Sequence, residues 1–249
     1  MSQRRTISEC QLCLEQASLA RSHVIPEFLY RIVYDGENRI YRLLVNRGKK
    51  TPVEVGFRTP LLCARCEGYL NDEFEQPFRR AWLEGGLAPT IVTAELYKVN
   101  VPDYRRFKLF LLSIVFRAGV CNRAPFASVD LREHVAVLRD MIKTGRAGSA
   151  AEYPILGDVI LAPDQRQVFT AVSSAFETPW NETRAYSFAF GGCLWQFPLT
   201  ASGAGQLEPL TLHEDGSMTF RVIDMWKIPP LRESFEKHAT AAANIRRRK

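Results

Sequence analysis

The sequence predicts an α+β chain in three parts. Residues 1–80 form a module clipped by cysteines, residues 81–150 a mostly helical scaffold with a central helical pair, and residues 151–249 an antiparallel β region ending in a helix and a basic tail. Three observations predict this. Two CxxC pairs, Cys10/Cys13 and Cys63/Cys66, stand far apart in the first third. Apolar residues between Tyr104 and Ala118 recur at helical spacing, and aromatic residues from Tyr186 to Phe197 alternate around a glycine pair.

In the first part, Ile40 to Val45 and Val53 to Phe57 are short β-branched or aromatic stretches, punctuated by turns at Asp35-Gly36 and Arg47-Gly48. Cys66 to Phe74 reads as a helix with Leu70 and Phe74 on one face, and Pro77 disturbs or ends it. A strand follows over Thr90 to Val101. Pro102-Asp103 then starts a helix from Tyr104 to Ala118, with Phe107, Phe110, Leu111, Ile114 and Val115 as one buried stripe and Gly119 as its stop. Asp130 to Thr144 is a second amphipathic helix, with Leu131, Val135, Leu138 and Ile142 inward and His134 a structural histidine. Tyr186, Phe188 and Phe190, then Gly191-Gly192, then Cys193, Trp195 and Phe197 read as a hairpin. Met218, Phe220 and Val222 give a further strand.

With 46% hydrophobic and 24% charged residues, the chain has the balance of a soluble globular protein with a sizeable core. No apolar run reaches the length of about 18 residues that a membrane helix needs, so no membrane partner is expected. The first residues, Met1 to Thr6, lack the apolar stretch of a secretory signal, and a cytoplasmic location is expected. The net charge of +6 suits a polyanion partner, nucleic acid being the commonest, and suits a solvated surface equally well. Arg246 to Lys249 is the densest basic cluster, and a solvated tail is its plainer reading. Of the six cysteines, Cys121 and Cys193 stand alone among apolar neighbours and read as small core residues.

The other four point to a metal. A two-residue gap lets both thiolates of a CxxC pair turn toward one ion, and two such knuckles supply the four sulfurs of a closed structural Zn²⁺ site. Cys10, Cys13, Cys63 and Cys66 are therefore the candidate ligands. Redox-active pairs and an iron–sulfur cluster are the rivals. The second pair opens a helix, whose N-terminal amides favour thiolates. Between the knuckles, Ser22-His23-Val24-Ile25-Pro26 reads as a short strand that ends abruptly and holds His23 rigidly. If that loop folds back on the metal, His23 comes near the helix carrying Glu67 and, one turn later, Asn71. A histidine beside an oxygen ligand can act as general base next to a divalent cation.

This order of CxxC, polar-His-apolar-apolar-Pro and a Leu-led CxxC opening a helix resembles the HNH endonuclease family with its zinc-supported ββα-metal, treble-clef-like fold. It is also similar to an uncharacterised bacterial group of HNH-like proteins sharing SHxIP and LLCxxCE segments. The HNH likeness covers residues 10 to about 76; the likeness to the bacterial group extends to the helix from Tyr104 and the Phe-Gly-Gly at Phe190. The resemblance implies His23 as general base. In place of the usual aspartate, Glu67, with Asn71, is the candidate holder of a catalytic Mg²⁺ or Mn²⁺. The alternatives are an inactive site and, for Glu67, a first-turn carboxylate favoured by the helix dipole; Asn71, Glu73 and Glu75 also suit a solvated helix face. The resemblance implies DNA, or else RNA, as substrate and a role in bacterial defence. The sequence departs from the family at Ser22, where an aspartate ligand is usual, and at Glu67, where histidine or asparagine is usual. Asn38 or Asn46 could supply a further asparagine. Arg65 is a candidate phosphate contact. The expected activity is therefore metal-dependent hydrolysis of nucleic-acid phosphodiesters. The alternative is a non-catalytic zinc module that binds nucleic acid or a protein, or forms a homo-oligomer, with His23 only bracing the knuckle. A third reading makes the aromatic C-terminal region the functional part. No GxSxG segment supports a serine nucleophile.

Overall fold

The computed structural model describes residues 7–33, 40–41, 52–53, 56–90, 92, 94–162, 167–180, 183–201, 203–233 and 236. The architecture is mixed α+β. Strands β1 (Ile7–Glu9), β2 (Gln16–His23) and β5 (Arg58–Cys63) make a three-stranded antiparallel sheet in the order β1-β2-β5. A short helix, α1 (Glu27–Arg31), follows β2 directly after Pro26, whose fixed φ suits a helix start. Strands β3 (Ile40–Tyr41) and β4 (Pro52–Val53) pair antiparallel, in line with two of the short stretches read there. Asp35-Gly36, Arg47-Gly48, Asn38, Asn46 and the tail Arg246 to Lys249 lie outside the described residues.

From Cys63 the chain enters a helix that Pro77 does not end. Helix α2 (Ala64–Leu70) runs into a π-helical segment at Asn71–Glu75, a further α-helical stretch, α3 (Gln76–Arg79), and a second π segment at Arg80–Glu84. Proline lacks an N–H, and its ring crowds the carbonyl one turn back. The wide turn just before Pro77, in which the Gln76 N–H donates to the Asn71 carbonyl, opens the ladder where the ring must fit. Phe74, Phe78 and Trp82 consequently stay in line and fully buried.

Strand β6 (Leu96–Asn100) is shorter than the stretch read from Thr90 and pairs with β11 (Ser217–Asp224). Helix α4 (Tyr104–Gly119) begins at Asp103, whose side chain accepts from the Arg106 N–H as an N-cap. It is buried on all sides from Phe107 to Ala118, not along one stripe. Helices α2–α3 and α5 and the second sheet all pack on it, which periodicity within one helix cannot reveal. Helix α5 (His134–Thr144) starts later than Asp130 and ends at Gly145 in the left-handed conformation.

The second sheet adds β7 (Leu156–Leu161), β8 (Phe176–Trp180), β9 (Thr183–Phe190) and β10 (Cys193–Pro198), in the order β6-β11-β7-β10-β9-β8. It is mixed rather than antiparallel, because β11 pairs parallel to β7. The β9–β10 hairpin turns at Gly191 and Gly192, with φ of 60° and 83°. A Cβ at Gly191 would sit 2.8 Å from Trp82 Nε1, which donates to the Gly191 carbonyl. Trp195 meets both Trp82 and Phe107, Phe220 meets Trp82, and Phe190 stacks on Trp195, so this side of the sheet packs on the helices. One buried cluster runs from Cys10 to Phe220 and is shared by all three parts read from the sequence. No helix among the described residues is long and apolar enough to cross a membrane.

Candidate metal centre and the polar cluster beside it

The two CxxC pairs converge. The ligand atoms of Cys10, Cys13, Cys63 and Cys66 all lie within 4.8 Å of one another, the one such group of His, Cys, Asp or Glu among the described residues. Local backbone explains each pair. After β1 the chain turns tightly: the Cys10 N–H donates to the Glu15 carbonyl, the Leu14 N–H to the Cys10 carbonyl, and Leu14 takes the left-handed conformation at φ 64°. The Gln11 N–H donates to the Leu61 carbonyl at 3.0 Å, and Arg139 Nε on α5 donates to the Gln11 carbonyl, so the turn is held from two sides. Cys63 is the residue before α2 and Cys66 lies in its first turn. The Cys63 N–H donates to Cys10 Sγ at 3.3 Å, an interaction that favours thiolate.

The donor set fits a metal ion. Sulfurs held about 2.3 Å from a tetrahedral zinc lie about 3.8 Å apart. Cys13 Sγ and Cys63 Sγ are 3.9 Å apart. Without a cation the grouping is unfavourable: burial first, then the neighbouring thiols of Cys63 and Cys10, push the Cys66 thiol upward.

His23 ends β2, mostly buried, with its Nε2 2.8 Å from Glu27 Oε2. The same nitrogen lies 2.7 Å from Arg58 Nε. Burial above all, then the charge of Arg58, lowers the imidazole pKa to about 4, against the opposing pull of Glu27. The acidic partner of His23 is thus Glu27, four residues on in α1, and not Glu67.

Glu67 meets Ser22 instead, since neighbouring side chains of a strand point to opposite faces. The buried Ser22 hydroxyl bonds to the Glu67 carboxylate and accepts from the Leu62 N–H at 3.1 Å. Glu67 Oε1 is buried with no hydrogen-bond partner among the described residues. Burial raises the Glu67 pKa, and the nearby Arg117 opposes that rise. Arg117, fully buried on α4, joins the two halves: its Nη1 donates to the His23 carbonyl at 2.9 Å and to Glu75 Oε1 at 2.8 Å. Asn71 is not part of this cluster. Its Oδ1 accepts from Gln76 Nε2 and its Nδ2 donates to Asp72.

Glu27, Arg58 and Arg117 escaped the sequence reading, and Glu75, whose position suits a solvated helix face, instead pairs with the buried Arg117. Only Glu27 had a signal, at helical spacing from His23 just beyond Pro26. Arg65 pairs with Glu15 at 2.8 Å on the surface, and with Lys143 it borders a cleft of about 220 Å³ beside Cys13 and Cys66. His134 bonds Tyr153 through Nδ1 at 2.9 Å, as befits a structural histidine, and Cys121 and Cys193 are buried singly. No protein-family model, curated protein or solved structure matches the chain.

Proposed function

We propose that the chain is a zinc-supported, HNH-type nuclease that hydrolyses nucleic-acid phosphodiesters, DNA being the favoured substrate, with a role in bacterial defence. One observation carries this reading: the cysteine cluster joins β2 to the start of α2, and at the end of β2 stands a histidine held by a carboxylate. In this reading Arg58, whose Nε donates to His23 Nε2, turns away to the substrate. His23 Nε2–H then donates to Glu27, and Nδ1 is the base that takes a proton from water. Arg58 would meet a phosphate oxygen. The Glu67 carboxylate, with its unsatisfied Oε1, suits a hard cation, and Mg²⁺ commonly needs only one or two protein carboxylates. Asn71 suits it less, because both ends of its amide are engaged. Bound Mg²⁺ or Mn²⁺ would supply charge stabilisation at the phosphate.

Purified protein with Mg²⁺ or Mn²⁺ should nick plasmid DNA, and His23→Ala should reduce nicking by about a hundredfold or more. Cleavage unchanged in the variant would remove His23 from the chemistry. Metal analysis should find one zinc per chain; iron would overturn the zinc assignment.

The contact between Arg58 Nε and His23 Nε2 favours a second reading, a non-catalytic module binding nucleic acid or a protein. If Arg58 donates to Nε2, the neutral ring carries its proton on Nδ1 and offers no base. Nitrogen chemical shifts of His23 decide between the two. A protonated Nε2 supports the nuclease and a protonated Nδ1 supports the module, whose binding to nucleic acid would weaken steeply with salt.

A further inference from the structure

The sheet face turned away from the helices carries a row of polar side chains where apolar ones would be expected. On β7, alternation puts Leu156, Asp158 and Ile160 on that face; on β10, Leu194 and Gln196; on β9, Ala185, Ser187 and Ala189. Leu156 and Ala185 belong to one apolar cluster, Ile160, Leu194 and Ala189 to another, and the polar residues lie between them. The register makes them neighbours: Arg221 stands opposite Asp158, and Gln196 opposite Ser187.

They form a line of two hydrogen-bonded groups. Arg221 donates to Asp158 from Nε at 2.7 Å and Nη2 at 3.0 Å, Gln196 Nε2 donates to Asp158 at 2.6 Å, and the Thr178 and Ser187 hydroxyls are 2.6 Å apart. Asp158 is 2% exposed. Burying a carboxylate costs several kcal/mol, and aliphatic residues at these positions would close the face at no such cost. The line is the floor of a cleft of about 520 Å³, within the range of small-molecule sites. Its walls are Phe176 and Pro179 on one side and Ile228, Pro229 and Pro230 on the other, with Lys227 and Glu177, the latter 3.5 Å from Arg184, also lining it.

We propose that this cleft binds a small organic anion with a flat ring. Asp158 is paired with Arg221 and Glu177 with Arg184, so each carboxylate of the cleft has its own cation. The floor offers Arg221 Nη1, which makes no hydrogen bond among the described residues, and one hydroxyl proton of the Thr178–Ser187 pair. Lys227 adds a second cation. These donors match a carboxylate or phosphate, while proline and phenylalanine walls match a ring face. The site is independent of His23 and of the cysteine cluster.

The test is calorimetric titration of the full chain with adenosine monophosphate, benzoate and inorganic phosphate. Saturable binding of a ring-bearing anion is expected, weakened about tenfold in Lys227→Ala. Arg221 cannot be removed alone without stranding Asp158, so the second variant is Asp158→Asn with Arg221→Gln, in which the loss should be larger. Preference for adenosine monophosphate identifies a nucleotide as the source, and preference for benzoate an aryl carboxylate. Phosphate bound as tightly as either ring compound, affinity unchanged in both variants, or no saturable binding of any probe would each overturn the proposal.

Discussion

Leu14 shows how the first cysteine turn is built at the cost of one strained residue. Its φ of 64° closes the turn after Cys13, although its side chain is half exposed and gains little by packing. The left-handed conformation costs a non-glycine residue about 1–2 kcal/mol. Leu14→Gly removes that cost but adds about 0.4–1 kcal/mol of unfolded-state entropy. It should therefore be neutral or stabilising by up to about 1 kcal/mol. Leu14→Val, more strained because it is β-branched, should destabilise by about 1 kcal/mol or more. Urea midpoints of the metal-loaded variants check both; a valine variant as stable as the parent would refute the strain. His23 makes a second prediction at this scale. Its folded pKa of about 4 lies below the value near 6.5 of an unfolded histidine. Above pH 6.5 both states hold a neutral ring. As pH falls from there toward 4, the unfolded chain takes up a proton that the fold refuses, and stability falls by up to about 3 kcal/mol. Acid also weakens metal binding by thiolates in general, so the measurement is a difference. Between pH 7.5 and 4.5 the parent should lose more stability in urea than His23→Gln does, and equal losses would contradict the burial of a neutral ring.

Between elements, the residues that matter are those no local pattern marks. The cysteine pairs were legible because a two-residue gap is itself the signal, and the helices and the hairpin were legible because apolar spacing is local. Arg117 was not: it sits in a stretch read as an apolar helix, and its partners come from β2 and from the π segment after α2. Ser22 stands where the HNH family usually has an aspartate ligand. In the fold it bridges the Leu62 N–H and Glu67, where an aspartate would set two carboxylates together. The parallel pairing of β7 with β11 was equally hidden, since alternation gives a strand's faces and not its direction. Arg117 supplies the test at this scale. Arg117→Met keeps most of the volume but leaves Glu75 without its cation and the His23 carbonyl without a donor, and should cost about 3–5 kcal/mol. Adding Glu75→Gln should recover part of that loss, because the stranded charge goes with it. A double variant no more stable than the single one would show that Arg117 acts by packing alone.

At the scale of the whole molecule, the question is how far the influence of an ion held by the four cysteines would reach. Cys10, Cys63 and Cys66 belong to the same buried cluster as Phe107, Trp195 and Phe220. Leu29 of α1 approaches the Gly191 turn, and Trp82, at the far end of the long helix that Cys66 begins, donates to the Gly191 carbonyl. The helix that starts at the cysteines thus ends against the C-terminal hairpin, so loosening one end changes the packing of the other. A structural zinc binds apo knuckles with an apparent free energy of about 10–16 kcal/mol, comparable with the whole stability of a domain. Removing it with a strong chelator should lower Tm by about 10 °C or more. Fluorescence of the buried Trp82 and Trp195 should report unfolding at the same lowered temperature as far-ultraviolet circular dichroism, in one transition. An indole signal that keeps its original midpoint while the N-terminal module melts separately would mean that the shared core does not couple them. The metal would then organise only the strands and helix it touches.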